Sequence, residues 1–283
     1  MDWQQIVREV LGTAVRDICP LSGGCVGQAY RLDLADGSRL AAKVDERPSP
    51  CLDIEGFMLT FLSERSHLPV PKVIHSEPRL LLMTWLPGGS RFGPAAQEHA
   101  AELLADLHQI SADDFGLERD TLIGGLHQPN GRLPSWLDFF RQRRLLYMAE
   151  EACRRGRLPA ELRQRVEQFC ARLDNWLTEP ARPSLIHGDV WTTNVLAQDG
   201  RITGFVDPAI YFAHPEIELA FTTLFGTFGQ PFFSRYQEIR PIAPGFFEER
   251  RHIYNLYPLL VHVRLFGGSY VHSVDQTLCR FGY

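Results

Sequence analysis

The sequence predicts an α+β protein built from two lobes, a small antiparallel-sheet lobe at residues 1–87 and a larger, mainly helical lobe at residues 88–283. Three observations support this prediction. Strand-like segments surround Asp36-Gly37, a strong hairpin signal, in the first third of the chain. Helical periodicity prevails in the remainder. Pro87-Gly88-Gly89 interrupts regular structure between the two parts, so we place the lobe boundary there.

The composition is that of an ordinary globular protein of 283 residues, with 45% hydrophobic and 22% charged residues, and it excludes a disordered chain. No apolar run is long enough to span a membrane and the N-terminus lacks a secretory signal, so we expect a cytoplasmic protein with no membrane partner. The net charge of −5 argues against a nucleic-acid partner. Lys43 and Lys72 are the only lysines among 29 basic residues, so chemistry that needs a lysine has two candidates.

The first lobe is predicted to begin with an amphipathic helix over residues 2–18, because its apolar side chains form one helical stripe. A glycine-rich loop at Ser22–Gly27 follows. Strands are then predicted at 28–35, 39–44, 73–75 and 80–86, with a helix at 52–65 among them. The last of these strands is apolar throughout, which indicates a buried position.

The second lobe is predicted to be mainly helical, since apolar residues recur there at helical spacing. Helices are expected at 94–110, 135–155, 159–178, 215–225 and 244–266. Residues 111–134 contain glycine and proline turn signals and are expected to form a loop. Short strands are expected at 185–187, 195–197 and 202–206. Ligands bind preferentially between lobes, so we expect the functional site in the cleft.

The strongest chemical signal is His187-Gly188-Asp189, which follows a predicted strand and is followed in turn by Asn194. Phosphoryl transfer from ATP needs a carboxylate that accepts the proton of the acceptor hydroxyl, and we assign Asp189 to this role. It also needs oxygen ligands for Mg²⁺, and we assign Asn194 and the strand-ending Asp207 to the metal.

The first lobe supplies independent support for ATP binding. Gly23, Gly24 and Gly27 lie in the glycine-rich loop, whose backbone amides are free to approach phosphate groups closely. Lys43 lies on a predicted strand, where kinase-like proteins carry the lysine that pairs with the α- and β-phosphates. Glu55 lies on the following helix and is in position to pair with Lys43. The order of these residues predicts an ATP-dependent kinase.

Several motifs resemble those of the fructosamine kinase, or ketosamine-3-kinase, family over about residues 5–272. The motifs are Gly23–Tyr30, Gln128–Gly131, His187–Asn194, Asp207–Glu216 and Leu265–Tyr270. The resemblance implies a protein-kinase-like fold, shared with aminoglycoside phosphotransferases, and the use of ATP and Mg²⁺. It implies phosphorylation of the 3-hydroxyl of a ketosamine, free or protein-bound, after which the unstable adduct leaves the amine. Such an activity serves protein deglycation.

The same resemblance implies roles for further residues. The segment expected to receive adenine through backbone hydrogen bonds consists of Met83, Thr84, Trp85 and Leu86. Trp191, two residues after the base, is assigned to the acceptor side, where an indole face suits the C–H surface of a sugar, with a core tryptophan as the alternative. His214, which follows the Asp207 loop, is also assigned to the acceptor side, with core packing as the alternative.

Some alternatives remain open at the level of sequence. Cys25 lies in the glycine-rich loop, where its oxidation would block ATP, so we consider a redox switch beside an inert thiol. The acceptor is a ketosamine or another hydroxyl compound, such as an aminoglycoside, choline or a related amino alcohol. A nucleotide-binding pseudokinase that acts as an interaction module is the remaining alternative, disfavoured by the complete catalytic set. The sequence does not predict the oligomeric state.

Overall fold

A five-stranded antiparallel sheet forms the first part of the molecule. The computed structural model describes residues 3–21 and 27–283. The strands are β1 (Val15–Leu21), β2 (Gln28–Leu34), β3 (Arg39–Val44), β4 (Val73–Glu77) and β5 (Leu80–Thr84). Their order across the sheet is β1-β2-β3-β5-β4, and every neighbouring pair is antiparallel. The strand β3 therefore lies in the centre, with hydrogen-bonded partners on both sides.

The hairpin at Asp36-Gly37 sets the register of the central strand. Gly37 has a φ of 87°, which residues with a side chain rarely adopt, and Asp36 Oδ1 accepts a backbone hydrogen bond of 2.9 Å within the turn. The register places Lys43 opposite Ala29 on β2 and Leu81 on β5. The backbone of Lys43 is thus held from both sides, which gives its long side chain a fixed origin.

The helix predicted over residues 2–18 is wrong in its second half. Helix α1 (Trp3–Leu11) ends at Gly12, whose φ of 62° breaks the helical repeat, and the residues that follow form β1. Pro20 has no amide hydrogen to donate, but β1 is an edge strand, where proline is tolerated. The apolar residues after Gly12 fit both a helical and an extended repeat. Gly12 is therefore the residue in the sequence that marks the end of the helix.

Helix α2 (Leu52–Arg65) packs against the sheet. Its inward side chains Met58, Leu59 and Leu62 are at most 1% exposed. Burial of each such side chain contributes roughly 2 kcal/mol to the hydrophobic stabilisation of the lobe. The same packing fixes the first turn of α2, which carries the buried Glu55 toward the central strand.

Helices make up most of the second part of the chain. They are α3 (Pro94–Leu107), α4 (Trp136–Phe139), α5 (Tyr147–Arg154), α6 (Ala160–Cys170), α7 (Glu216–Leu224), α8 (Gln230–Ile239), α9 (Arg251–Phe266) and α10 (Ser269–Arg280). Segments of π-helix, Phe140–Leu146 and Phe246–Arg250, precede α5 and α9. None of the helices in the described ranges combines the length and apolarity that crossing a bilayer requires.

Three small antiparallel hairpins or strand pairs accompany these helices. They are formed by β6 (Thr121–Ile123) with β7 (Leu126–Gln128), β8 (Ser184–Ile186) with β11 (Tyr211–Ala213), and β9 (Val195–Gln198) with β10 (Arg201–Phe205). The pair β6–β7 lies within the predicted loop 111–134. Helices α8 and α10 were also not predicted. Helix α8 is rich in aromatic residues of modest helix propensity, which weakens its helical signal.

An aromatic core around Trp136 holds the helical part together. The Trp136 ring is fully buried and stacks on Phe140 at a centroid distance of 5.4 Å and on Phe139 at 6.0 Å. Its indole Nε1 donates to Tyr254 Oη at 3.3 Å. Such rings bury large apolar areas and fix the relative positions of the helices that carry them.

The junction between the two parts is fastened to the β9–β10 hairpin. Gly89 and Ala197 exchange two backbone hydrogen bonds of 3.0 and 2.9 Å. Gly88 has a φ of 117°, and a Cβ at this position would lie 2.6 Å from the carbonyl oxygen of Ala197. Glycine is therefore required for the close approach. The division into lobes at 1–87 and 88–283 stays our proposal.

Candidate active site

A cavity of about 520 Å³ lies between the five-stranded sheet and the helical part. Its volume is in the range of sites that bind small-molecule ligands and cofactors. Most of the predicted site residues line it, namely Lys43, Glu55, Met83, Thr84, Trp85, Leu86, Asp189, Trp191, Asn194 and Asp207. The fold thus collects in one cavity residues that are far apart in the sequence.

Lys43 links the two sides of this cavity. Its Nζ donates to Glu55 Oε1 at 2.7 Å and makes a shorter contact with Asp207 Oδ1. Burial alone would lower the pKa of Lys43, but the negative charges of Asp207 and Glu55 outweigh this effect and raise the pKa above its ordinary value. Lys43 is therefore a permanent cation, and its predicted pairing with Glu55 is confirmed.

The turn after β8 depends on a glycine. Gly188 has a φ of 85°, and a Cβ there would lie 2.1 Å from the carbonyl oxygen of Ala209. The two segments are this close because the amide of Ala209 donates to the carbonyl of His187 at 2.7 Å. The left-handed conformation at Gly188 is what turns the chain into the cavity and places Asp189 on its wall.

The side chain of Asp189 is held by a single amide. Asn194 Nδ2 donates to Asp189 Oδ2 at 2.8 Å and to the Asp189 carbonyl at 3.0 Å. Burial, followed by the negative charge of Asp207, raises the pKa of Asp189 to about 8. A fixed carboxyl whose pKa lies near neutral pH is suited to taking a proton from a bound hydroxyl group.

Asn194 and Asp207 offer oxygen atoms on the same side of the cavity. The amide of Val206 donates to the carbonyl of Asn194 at 2.9 Å, which aligns the two segments. Asp207 has a φ of 55°, a costly conformation for a residue with a side chain and one that clusters at functional sites. The Asp207 side chain is 31% exposed. A carboxylate oxygen and an amide oxygen at one edge of a cavity are ligands of the kind that bind Mg²⁺.

The predicted adenine-binding segment divides into two pairs of residues. Met83 and Thr84 end β5, and Thr84 exchanges two hydrogen bonds of 2.9 Å with the backbone of Lys72. Trp85 and Leu86 follow the strand and also line the cavity. The backbone of Trp85 and Leu86 is therefore better placed than that of Thr84 to meet a ligand.

Only part of the predicted phosphate loop is described. Gly27 has a φ of 70°, and a Cβ there would lie 2.4 Å from the carbonyl oxygen of Val44, so glycine is required where the chain enters β2. Gly23, Gly24 and Cys25 lie outside the described residues, and their roles stay predictions.

A second, smaller cavity lies beside Asp189. It has a volume of about 30 Å³ and is lined in part by Tyr257 and His262 of α9. This space is large enough for one or two water-sized groups. The ring of Trp191, on the wall of the large cavity, lies 6.5 Å from that of His262. Sequence reasoning gave Tyr257 and His262 no role, because they reach the cavity that Asp189 lines only through the docking of a distant helix.

The structure does not bring His214 to the walls of either cavity. Its ring packs against Tyr254 at a centroid distance of 5.7 Å and against Trp136 at 6.3 Å, and Nδ1 accepts the amide of Glu216 at 3.1 Å. Burial, followed by the positive charge of Arg250, lowers the pKa of His214 to about 3, so the ring is neutral. This position corrects the expected acceptor contact in favour of core packing.

Glu218 supports the turn at Gly188 and Asp189 from behind, and sequence reasoning missed it. Its Oε1 accepts the amide of Gly188 at 2.6 Å, and its Oε2 pairs with His108 Nε2 at 2.8 Å. The other ring nitrogen of His108 pairs with Tyr236 Oη at 2.8 Å. The side chains of Glu218, His108 and Tyr236 are buried. The sequence feature that could have indicated this role is an acidic residue on the mostly apolar helix α7.

We expect Glu218→Ala to lower the free energy of unfolding by about 3 kcal/mol, because it leaves the amide of Gly188 and Nε2 of His108 without a buried partner. Urea denaturation followed by tryptophan fluorescence measures this change. Glu238→Ala is the matched control, since the Glu238 side chain is 63% exposed in its pair with Arg235. We expect no measurable change there, and equal losses in both variants would contradict the supporting role.

Comparison with known proteins places this geometry in context. The chain matches the family described as fructosamine kinase over residues 1–281. It is 32% identical to a probable ketoamine kinase of Synechocystis, over 98% of this chain and 95% of the relative. It is 33% identical to a probable ketoamine kinase of Escherichia coli, over 98% of each chain. A protein-ribulosamine 3-kinase of rice is 28% identical, over 94% of this chain and 79% of the relative.

Solved structures agree with the architecture. The crystal structure of a fructosamine-3-kinase candidate from Thermobifida fusca has a TM-score of 0.86 and 32% identity, with 99% of each chain covered. An aminoglycoside phosphotransferase, solved with ADP and hygromycin B, has a TM-score of 0.71 with full coverage of both chains. Its identity is 17%, so this likeness concerns the fold alone. The predicted protein-kinase-like α+β fold is confirmed.

Proposed function

This chain belongs to the fructosamine kinase family, and from that premise we propose that it transfers the γ-phosphoryl group of ATP to the 3-hydroxyl of ketosamines. One observation carries the proposal: Lys43 pairs with Asp207, 164 residues away in sequence, in the cavity that Asp189 also lines. Phosphoryl transfer needs a cation for the phosphates, a carboxylate for the metal and a base for the acceptor. Loss of the phosphorylated sugar then frees the amine, which amounts to deglycation.

Asp189 is the base in this reaction. The acceptor oxygen forms a bond to the γ-phosphorus, the bond from that phosphorus to the β,γ-bridging oxygen breaks, and ADP leaves. The proton of the acceptor hydroxyl passes to the Asp189 carboxylate, which Asn194 holds at 2.8 Å. Because the carboxylate is fixed before the acceptor arrives, it needs little reorganisation at the moment of transfer.

The ATP side is assigned to residues of both parts of the chain. Lys43, positioned by Glu55, pairs with the α- and β-phosphates, and the backbone of Trp85 and Leu86 receives adenine. Asn194 and Asp207 would hold Mg²⁺, which neutralises charge on the phosphate oxygens when it is bound.

The acceptor side is assigned to the small cavity and the rings beside it. Trp191 offers an indole face to the sugar. Burial lowers the pKa of His262, so its ring is neutral, and Nδ1 donates to the carbonyl of Pro258 at 2.7 Å. This leaves Nε2 of His262 as an acceptor for a sugar hydroxyl. We place the reaction in the cytoplasm, since the five described cysteines are all free.

A panel of acceptors tests the proposed reaction. The purified protein is incubated with Mg²⁺-ATP and, in separate reactions, Nε-fructosyl-lysine, Nε-ribulosyl-lysine, Nε-erythrulosyl-lysine, an aminoglycoside or choline, and ADP formation is followed. We expect kcat/KM for at least one ketosamine to exceed that for the other acceptor classes by about 10²-fold or more, because a site shaped for sugar hydroxyls leaves polar groups unpaired with the wrong acceptor.

The outcomes separate the alternatives. A preference for the aminoglycoside or choline would show that the proposed acceptor class is wrong. The assignment of the protein as a phosphotransferase would stand. ATP binding without phosphorylation of any acceptor would favour the pseudokinase. Phosphorus NMR of the reaction mixture identifies the phosphorylated hydroxyl, and a signal from a position other than the 3-hydroxyl would correct the site of transfer.

A further inference from the structure

The side-chain amide of Gln128 joins three separate segments beside the active site. Gln128 is the last residue of β7, and its side chain is fully buried. Its Nε2 donates to the carbonyl of Ala209 at 3.1 Å and to Thr121 Oγ1 at 2.8 Å, and its Oε1 accepts a hydrogen bond from Tyr257 Oη at 2.7 Å. A buried amide that makes three hydrogen bonds has one orientation, so it holds its partners at fixed distances.

Ala209 connects this amide to the segments that carry the proposed base and a proposed metal ligand. The backbone amide of Ala209 donates to the carbonyl of His187 at 2.7 Å, where the turn that leads to Asp189 begins. Ala209 also follows Asp207 by two residues. The turn thus holds Ala209 at its amide, and Gln128 holds it at its carbonyl. A shift of Ala209 would therefore move Asp207 relative to Asp189.

Tyr257 extends the contacts of Gln128 to the small cavity. Tyr257 is a buried residue of α9 and lines that cavity together with Asp189. The helix fixes its backbone, and the hydrogen bond to Gln128 fixes its hydroxyl end. The part of the cavity wall that Tyr257 forms therefore keeps one position.

A buried arginine holds the residues that follow Gln128. Asn130 Nδ2 donates to Thr121 Oγ1 at 2.7 Å, and Asn130 Oδ1 accepts Arg144 Nη2 at 2.6 Å. Arg144 Nη1 donates to the carbonyl of Pro129 at 2.7 Å. Arg144 is fully buried among aromatic rings, and within the described ranges its charge has no carboxylate partner. A buried cation without an acid is costly, so its hydrogen bonds to this segment are a strong constraint on the backbone beside Gln128.

We propose that Gln128 is a positioning residue for phosphoryl transfer, whose amide sets the spacing between Asp189 and Asp207 and fixes the cavity wall at Tyr257. This inference rests on the proposed function. The acceptor hydroxyl lies at the base and the γ-phosphate at the metal ligands, so a change in this spacing moves the two reacting groups apart. A displacement of about 1 Å can lower the rate by about 10²-fold.

Gln128→Leu removes all three hydrogen bonds. With the best ketosamine of the acceptor panel, we expect kcat to fall by about 10- to 100-fold. The KM for ATP is expected to stay within about threefold of the wild-type value, because the hydrogen bonds of the Gln128 side chain do not involve Lys43, Trp85 or Leu86. Steady-state kinetics of ADP formation with Mg²⁺-ATP measures both quantities.

Hydrogen exchange of the backbone amides gives a second readout, which reports position directly. In Gln128→Leu we expect faster exchange in the segments 187–189 and 207–210, because the lost hydrogen bonds hold these segments. Exchange in β3, which carries Lys43, is expected to stay at the wild-type rate. A variant that is only less stable would instead exchange faster throughout the chain.

Asn255→Leu is the matched control for this substitution. Asn255 is also a buried amide and lies on the same helix as Tyr257, but its Nδ2 donates to Thr223 Oγ1 at 3.3 Å and it lines neither cavity. We expect the wild-type kcat and wild-type exchange in the segments 187–189 and 207–210.

Gln128→Glu decides the question if Gln128→Leu does not fold. It keeps the length of the side chain and an oxygen that accepts Tyr257 Oη, but it replaces the donor to the carbonyl of Ala209. We expect kcat to fall by about 10-fold or more while the KM for ATP stays near the wild-type value.

Failure of this inference is distinguishable from failure of the proposed function. A wild-type kcat in Gln128→Leu, or in Gln128→Glu where the first variant does not fold, would show that Gln128 only stabilises the fold. An equal loss of kcat in Asn255→Leu would overturn the inference as well. In these cases the kinase assignment stands, since the wild-type protein is active. If the wild-type protein phosphorylates none of the ketosamines, the proposed function is wrong and this inference fails with it.

Discussion

Replacement of Asp189 by asparagine is expected to lower kcat by about 10³-fold. The asparagine has the same shape and still offers an oxygen to the Asn194 amide, which now donates to Asp189 Oδ2 at 2.8 Å, but it takes up no proton. Lys43 and Asp207 are untouched, so the dissociation constant of a non-hydrolysable ATP analogue is expected to stay near the wild-type value. Single-turnover ADP formation with Nε-fructosyl-lysine and titration calorimetry measure the two quantities.

Asp199→Asn is the matched control for this substitution. Asp199 is exposed in the β9–β10 turn, where its φ of 51° suits asparagine equally well. We expect the wild-type kcat. If Asp189→Asn forms ADP as fast as the wild type, another group takes the proton and the assignment of the base is wrong.

The same substitution tests the raised pKa of Asp189 in the metal-free protein. The folded chain keeps a proton on Asp189 up to about pH 8, whereas the unfolded chain releases it near an ordinary pKa of about 4. The stability contributed by this proton is complete below the lower value and is lost as pH rises through the upper one. The free energy of unfolding of Asp189→Asn relative to wild type is therefore expected to increase between about pH 5 and about pH 8. If the difference in the free energy of unfolding between the variant and the wild type does not change with pH, the raised pKa of Asp189 is contradicted.

The second large effect is expected for Lys43→Met. We expect kcat to fall by about 10²-fold or more and the KM for ATP to rise, because the variant removes the buried cation that we assign to the phosphates. It also leaves Glu55 without the partner that lies 2.7 Å away, so the free energy of unfolding is expected to fall by about 3 kcal/mol. Steady-state kinetics and urea denaturation measure these changes.

A double variant separates the two effects of the lysine. In Lys43→Met with Glu55→Gln, the buried charge of Glu55 is removed together with its partner, and only Asp207, whose side chain is 31% exposed, loses its ion pair. We therefore expect part of the stability to return and the activity to stay low. Lys72→Met is the control, since Lys72 is the other lysine of the chain and is exposed. Recovery of activity together with stability in the double variant would show that Lys43 acts only through folding.

The local parts of the site followed from the sequence. The turn that carries Asp189 and the asparagine that holds it lie within one short segment, so their spacing alone places them together. Lys43 and Glu55 follow each other as strand and helix, and a helix after a strand packs back on the same sheet. For Lys43, Glu55 and Asp189, local order was enough to predict which groups meet.

The remaining parts depend on packing between distant helices. Glu218 on α7 meets His108 after α3, and His262 on α9 meets the catalytic cavity, through contacts that no spacing encodes. His214 was misassigned for the same reason: its neighbour in sequence is the Asp207 loop, but its neighbours in space are Trp136 and Tyr254. The periodicity of apolar residues predicts which side chains point inward, but it does not predict which residues they contact.

The scarcity of lysine makes this chain unusually easy to label at one position. Lys43 is buried in its ion pairs, whereas the side chain of Lys72 is exposed and its backbone is hydrogen-bonded to Thr84 beside the adenine segment. Of the two lysines, Lys72 is therefore the one that we expect an amine-reactive fluorophore to modify. The attached dye would lie next to Pro71 and Thr84, which line the large cavity, so we expect its emission to change when ATP is added.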